Sequence, residues 1–205
     1  MKRTGFSLWG LVGVLALVLV IGAVLFWPAQ RGGYTPTRKS RCLNNLKQLA
    51  LGFKQYQNDF DGRYPLVAVT KHSSTDYRPP YGWADALQPY IRNTQVYQCP
   101  SDIHEGTDKS GERGFTDYWY NRNLEGVTQS KLASSSQTII SGDGNNGEVT
   151  DARHSRNFLP PGYPPAVRHE DGGNYAFADG HVKWLKPNQI TTAPPTPGVY
   201  TFALR

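Results

Sequence analysis

The chain has 205 residues and a formal net charge of +6, from 22 Lys and Arg against 16 Asp and Glu. Two of the basic residues precede an apolar segment near the N-terminus, so the rest of the chain carries a net charge of only +4, which argues against a dedicated nucleic-acid binder. The 21 Gly, 15 Pro and 12 Tyr favour short strands and structured loops over a helical bundle.

The apolar segment is residues 6–27, which hold no charged side chain. A helix of these 22 residues rises roughly 33 Å, enough to cross a hydrocarbon core of about 30 Å. Trp27 lies where an interfacial aromatic residue is expected, and Pro28 can end the helix. We therefore predict a membrane-spanning helix, with an atypical signal peptide and a buried core helix as the alternatives.

The charges beside this segment and the two cysteines give opposite indications of orientation. Four basic residues follow the segment within residues 31–41, against two before it, which favours a cytoplasmic body. Cys42 and Cys99 are an even pair beyond the segment, which favours an oxidising compartment. These features alone leave the orientation open.

A second helix is expected after a linker at residues 28–35. Thr35 is the predicted N-cap, and Pro36 is the predicted first helical residue. Apolar residues then recur every three or four positions and predict one buried stripe, formed by Cys42, Leu43, Leu46, Leu49, Ala50, Phe53 and Phe60. Asp61 and Gly62 are expected to end this helix.

The remainder of the chain has the pattern of strands and turns. A short helix is predicted over Trp83–Ile91, although Pro89 interrupts it. The clearest strand pattern is a three-stranded antiparallel meander at 166–169, 174–178 and 182–185. A Pro-rich tail at 191–205 is expected to run over the surface. One helix on an antiparallel sheet, an α+β fold, follows from this layout.

Several segments of the chain resemble type IV prepilins and the pseudopilins of type II secretion. A short basic leader is followed by Gly5 and then by Phe6 at the head of the apolar helix. His169, nine further residues and then Asp179-Gly180 match an H-X9-DG signature of a processing-associated C-terminal domain in such proteins. Three segments are similar to the helix and middle part of the same group: RCLNNLKQLALGFKQYQNDFDGRYP, WADALQPYIRNTQVYQCPSD and DYWYNRNLEG.

The resemblance implies a pilin-like fold, in which a long N-terminal helix spans the membrane with its first half and packs on an antiparallel sheet with its second. It also implies cleavage after Gly5, N-methylation of Phe6 and delivery of the body, residues 36–205, outside the cytoplasm. The implied location is the bacterial inner membrane, with a single pass. The implied partners are membrane lipid, a prepilin peptidase and other pilin-like subunits, and no specific nucleic acid.

One position departs from this pattern. The fifth residue after the implied cleavage point is Gly10, where such prepilins usually carry Glu. That carboxylate is thought to meet the N-terminal ammonium of a neighbouring subunit, and an unpaired buried ammonium is costly. We therefore expect a minor or atypical subunit, or a tethered protein that does not polymerise.

Cys42 and Cys99 are the candidate disulfide, and two free thiols are the alternative. In the chain-entropy model, closing this loop stabilises the fold by roughly 4 kcal/mol.

No metal site is assigned from the sequence. The residues around the predicted meander that can bind a metal are His169, Asp171, Asp179 and His181. Turn geometry explains the same residues and is preferred, because the segment is rich in turn formers. Calcium is kept open without ligands, since the turn at 143–147 has a suitable composition but Asp59 and Asp61 lack the later Glu of a calcium loop.

The chain also lacks the motifs of common hydrolases, G-x-S-x-G, H-E-x-x-H and S-x-x-K. The prediction is therefore a non-enzymatic pilin-like subunit of a type II secretion-like or type IV pilus-like assembly. The alternatives are a tethered extracytoplasmic binding protein, an enzyme, and a pilin that binds DNA or a surface polymer.

Overall fold

The computed structural model describes residues 8–26, 37–69, 81–144, 150–156 and 168–204. The chain divides into two compact units, residues 1–35 and 36–205. The first unit contains helix α1, Leu8–Phe26. The predicted leader at residues 1–5 and the predicted linker at 28–35 lie outside the described residues.

The predicted membrane-spanning helix and the predicted inner-membrane localisation are corrected by the structure. Helix α1 has 19 residues instead of 22, which corresponds to a rise of about 28 Å. Within the part of the chain that is described, no helix combines the length and the apolar character that crossing a membrane requires.

The second unit is built around helix α2, Arg38–Asp59. The Thr37 side chain accepts a hydrogen bond from the Ser40 backbone N–H and caps the helix, two residues later than predicted. Of the predicted stripe, Cys42, Leu46, Leu49, Ala50 and Phe53 are buried. Phe60 is instead half exposed, because the helix ends at Asp59 and Phe60 is its C-cap.

Helix α3, Trp83–Ile91, packs against α2 and includes Pro89 without a break in the helix. The Gly82 backbone N–H donates to the Asp85 carboxylate at 2.7 Å, which holds the first turn. Two short strands, β1 (Ala68–Val69) and β2 (Tyr81–Gly82), pair ahead of the helix. A 3-10 helix follows at Thr94–Tyr97 and contacts α2 and α3.

A five-stranded mixed sheet lies behind α2, in the order β5-β3-β4-β6-β7. The four pairings are antiparallel except β3 with β5, which is parallel. The strands are β3 (Tyr118–Asn121), β4 (Ile139–Asp143), β5 (Ser155–Arg156), β6 (Gly173–Phe177) and β7 (Val182–Leu185). Strands β8 (Ile190–Thr191) and β9 (Tyr200–Thr201) pair separately in parallel.

The two faces of this sheet belong to two apolar clusters, as the alternation of side chains along a strand requires. Tyr118 and Tyr120 of β3 join the cluster beneath α2. Trp119, between them, joins a second cluster on the opposite face, together with Tyr175 of β6 and Phe202 of the C-terminal tail. The end of the tail therefore contributes to the core, with Phe202 fully buried, whereas residues 192–194 and 196–198 are exposed as predicted.

The predicted pilin-like architecture is wrong in two respects. The described residues contain three separate α-helices, of 19, 22 and 9 residues, and no long N-terminal membrane helix. The sheet is mixed instead of antiparallel, because β5 returns alongside β3 in the same direction.

The predicted meander is partly correct. Strands β6 and β7 form the predicted hairpin, and β7 has the predicted bounds. The predicted first strand at 166–169 is replaced, where it is described, by an isolated bridge between His169 and Gly172. The intervening tight turn, with Glu170 at φ 65°, explains why the chain cannot continue as a strand there.

We predict that Gly142→Ala destabilises the second unit by about 1–3 kcal/mol. A Cβ at this position of β4 would lie 2.6 Å from Trp119 Cζ2 and 2.7 Å from Tyr175 Cδ1, and both rings are buried. Urea unfolding gives the free energy of unfolding. The control is Gly111→Ala, whose Cβ meets no atom within 4 Å and should change that free energy by less than about 0.5 kcal/mol. Equal effects of the two substitutions would contradict the packing argument.

Candidate functional site

A polar cleft of about 410 Å³ opens between the first half of α2 and the loop that follows the 3-10 helix. Arg41, Asn45 and Gln48 of α2 line one side. The facing residues are Asn93, Gln95, Val96, Gln98, Cys99, Pro100, Asp102, His104, Gly106 and Asp117.

A disulfide between Cys42 and Cys99 joins the two sides of the cleft. Cys42 lies in the second turn of α2, and both cysteines are buried. The Asn45 side chain donates to the Gln98 carbonyl at 2.8 Å, and the Tyr118 hydroxyl donates to the Cys42 carbonyl at 3.3 Å. Loop and helix are therefore fixed to each other and to β3 at the base of the cleft.

Four ionisable side chains form a cluster beside this disulfide, which we name the cleft cluster: Asp102, His104, Asp117 and Arg168. His104 lies between the two carboxylates, with Nδ1 3.1 Å from Asp102 Oδ1 and Nε2 3.1 Å from Asp117 Oδ1. The buried Arg168 guanidinium pairs with Asp102 Oδ2 and donates to the Asp117 carbonyl at 3.0 Å. The Cys99 backbone N–H donates to Asp117 Oδ2 at 2.5 Å.

The pKa of the Asp117 carboxyl is raised by its environment. Burial disfavours its charged form and raises the pKa to about 6. The hydrogen bond from Cys99 and the charges of Arg168 and His104 act in the opposite direction but are weaker. Asp117 can therefore exchange a proton in the mildly acidic range.

A second buried pair lies on the other side of the disulfide. His169 Nε2 is 3.3 Å from Asp143 Oδ2 and 3.7 Å from Cys99 Sγ. Asp143 Oδ2 also accepts the Asn174 backbone N–H at 2.6 Å. His169, predicted as a signature residue, thus lies against the disulfide.

The other two signature residues, Asp179 and Gly180, lie at the far end of β6. Gly180 has φ 94°, a conformation that favours glycine, and closes the turn into β7. Asp179 is partly exposed, and its Oδ1 lies 2.6 Å from His181 Nδ1. Since β6 has five residues and strands rise about 3.4 Å per residue, the strand alone separates the two ends of the signature by roughly 17 Å.

The four residues considered for a metal around the hairpin do not converge. His169 is buried at one end, and Asp179 and His181 lie at the other. Asp171 is exposed, and its carboxylate pairs with Lys186 Nζ at 2.5 Å. The residues considered for calcium do not form a site within the described range. The Asp59 carboxylate accepts a hydrogen bond from the Tyr90 hydroxyl, and most of the turn at 143–147 lies among residues 145–149, which are not described.

Two further predicted site residues, Gly5 and Phe6, lie outside the described residues. The residues of the cleft cluster were not found from the sequence. The local signal was Asp102 and His104, two positions apart and close after Cys99. Asp117 and Arg168 carried no local signal, since only the fold brings them to that loop.

Comparison with known proteins gives one family. The model of the family SBP_bac_10, described as protein of unknown function (DUF1559), matches residues 36–158. This match covers more than half of the chain and ends before the segment 166–185. The curated proteins and the solved structures give no significant match.

We predict that the free energy of unfolding falls as the pH rises from about 4 to about 6, because folding favours the protonated Asp117. Raising the pKa of one carboxyl from 3.8 to about 6 on folding stabilises the protein by roughly 3 kcal/mol at low pH, and about 2 kcal/mol of this is lost between pH 4 and pH 6. Asp117→Asn removes this titration. Wild type should therefore lose stability relative to the variant between pH 4 and pH 7.

Urea unfolding of the disulfide-bonded protein at pH 4, 5, 6 and 7, in buffer with a chelator, measures this difference. The control is Asp108→Asn, which removes an exposed carboxylate from the same loop and should leave the pH profile unchanged. Parallel profiles for wild type and Asp117→Asn would show that Asp117 does not titrate in this range.

Proposed function

The chain belongs to the DUF1559 family, a family of prepilin- and pseudopilin-like bacterial proteins, and we propose that it is an extracytoplasmic pilin-like subunit. In this proposal it joins an assembly of the type IV pilus or type II secretion kind and has no enzymatic role. Helix α1 supplies the contacts with other subunits, and the disulfide-bonded second unit supplies recognition.

The observation that carries this proposal is helix α1 itself. Its sequence, LWGLVGVLALVLVIGAVLF, is apolar on every side. The side chains that are described are exposed, with Trp9 at 84% and Leu19 at 66%. An apolar surface of this kind marks an interaction site, and a helix that is apolar all round requires partners all round. Helices of neighbouring subunits provide such an environment.

The disulfide supports the extracytoplasmic part of the proposal. Structural disulfides persist in oxidising compartments and are rare in the cytoplasm. The Cys42–Cys99 bond is buried in the main apolar cluster and closes a separation of 57 residues. It therefore acts as a structural bond of the second unit.

Gly10 favours a second candidate function, a binding protein that has the pilin-like organisation but does not polymerise. A Cβ at Gly10 would meet no atom within 4 Å, so the structure leaves room for a Glu that the chain lacks. The polar cleft would then be the functional surface by itself.

We expect Gly10→Glu to raise several-fold the fraction of this protein that co-purifies with filaments from cells producing the other subunits. The reason is that the new carboxylate can pair with the N-terminal ammonium of a neighbouring subunit. The matched control is Gly13→Glu, which places a carboxylate about one turn along the helix, also in open space. Quantitative immunoblotting of sheared filaments gives the fraction.

Each outcome of that comparison distinguishes the two functions. Wild type in filaments, with more of the Gly10→Glu variant, supports the subunit. Filament incorporation of Gly10→Glu alone supports the non-polymerising protein. Absence of wild type and both variants from filaments contradicts the proposed subunit.

We also expect the protein isolated from its native cells to lack residues 1–5 and to carry one methyl group on Phe6. Intact-mass spectrometry measures both changes in one spectrum. The control is Gly5→Asp, whose bulkier charged residue should block the cut and leave a full-length or Met-trimmed chain. A full-length or Met-trimmed wild-type mass would contradict processing by a prepilin peptidase.

A further inference from the structure

The contacts of His104 are unusual for a histidine between two carboxylates. A neutral imidazole has one N–H donor and one acceptor nitrogen. When a carboxylate oxygen lies beside each of the two nitrogens, one of these oxygens faces the acceptor nitrogen, and neither atom can donate a hydrogen bond. Both contacts are 3.1 Å long. However, His104 Nδ1 and Asp117 Oδ1 are buried and have no hydrogen-bond partner, so the ring does not satisfy the carboxylates by donating to them.

The geometry points to a binding site for a first-row divalent metal ion, with Zn²⁺ as the representative, formed by Asp102, His104 and Asp117. One nitrogen or oxygen atom from each of the three residues lies within 4.8 Å of the others. In a tetrahedral site, bonds of about 2.0–2.1 Å to a shared metal place the ligand atoms roughly 3.3 Å apart. Ligand atoms in such a site point at the metal instead of at each other, which fits close contacts that are not hydrogen bonds.

The other atoms of both carboxylates are already held, as the outer contacts of a metal site require. Asp102 Oδ2 pairs with the buried Arg168 guanidinium, and Asp117 Oδ2 accepts the Cys99 backbone N–H. The Oδ1 atoms of both carboxylates face His104, and Asp102 Oδ1 also accepts a hydrogen bond from the Ile103 backbone N–H at 2.7 Å, which orients that carboxylate. Asp117 is the strongest indication, because its side chain is only 2% exposed while its Oδ1 has no hydrogen-bond partner.

The net charge of the three residues with Arg168 and their position in the cleft also favour a divalent cation. The two carboxylates and the guanidinium sum to one negative charge when His104 is neutral, so a divalent cation would leave the site with a modest positive charge. All three proposed ligands line the cleft. The metal can therefore enter from solvent and keep water at its remaining positions, and one His with two carboxylates is a donor set for Zn²⁺, Mn²⁺ or Fe²⁺.

A nearby group of three potential ligands serves as a contrast. Cys42, Cys99 and His169 also place one ligand atom each within 4.8 Å of the others. Their two sulfur atoms are joined in the disulfide, so neither is a thiolate that can bind a metal.

The test uses the full chain with its disulfide intact, stripped with chelator and titrated calorimetrically with ZnCl₂ at pH 7.5. We expect one Zn²⁺ per chain with a Kd below about 10 μM. His104→Gln keeps a side chain of similar size and should weaken binding at least tenfold. The control is His181→Gln, which removes a histidine beside an exposed carboxylate, Asp179, and should bind as wild type.

A spectroscopic measurement distinguishes loss of the metal site from failure of the variant to fold. Co²⁺ added to wild type should produce d–d absorption bands of a low-coordinate site, and these bands should be weaker or absent in His104→Gln while circular dichroism shows both proteins folded. No stoichiometric binding by wild type, or equal binding by wild type and His104→Gln, would overturn the assignment. So would ¹⁵N chemical shifts showing that both His104 nitrogens stay protonated in excess Zn²⁺.

Discussion

The bond between Cys42 and Cys99 is the constraint on which the arrangement of the second unit depends. It fixes the loop after the 3-10 helix to α2, and Tyr118, which donates to the Cys42 carbonyl, extends that link to β3. In the chain-entropy model a closure of this length stabilises the fold by roughly 4 kcal/mol. Buried charges of the kind found beside it cost several kcal/mol each unless their partners are held in place. The cleft cluster therefore needs a rigid frame, and the disulfide supplies it at the position where the cluster begins.

The elements that could be predicted from the sequence are those whose pattern is local. The 3.6-residue repeat of α2 predicted its buried stripe as far as Phe53, apart from Leu43, which is only partly buried. The turn at Asp179-Gly180 predicted the hairpin of β6 and β7. The mixed sheet could not be predicted, because the parallel pairing of β3 with β5 joins segments whose spacing carries no periodic signal. Likewise, Phe202 lies in a Pro-rich tail that has the composition of a surface segment, yet it fills the face of the sheet opposite α2. Burial of a sheet on both faces removes the alternation of polar and apolar residues that would have marked these strands.

The same distinction separates what could be predicted of the candidate site from what could not. A cysteine pair is visible in any sequence, whereas Asp117 and Arg168 are ordinary charged residues 51 positions apart that the sheet brings to one loop. Asp102 and His104 are close in sequence but have no compact ligand spacing with a third residue. Their significance arises only from burial, which turns a common polar residue into a group whose partners must be accounted for.

The segment from His169 to Gly180 has a structural explanation in the contacts at its two ends. At one end His169 packs against the disulfide, and the neighbouring Glu170 pairs with Lys39 of α2 at 3.2 Å. At the other end the Gly180 carbonyl accepts a hydrogen bond from Lys47 of α2 at 2.7 Å. The hairpin is thus attached to the same helix at both ends, and α2 is held against β6 along its length. These contacts account for the position of His169 and Gly180 in structural terms. The proposed recognition and metal sites both lie in the cleft on the other side of the disulfide, which polar side chains line.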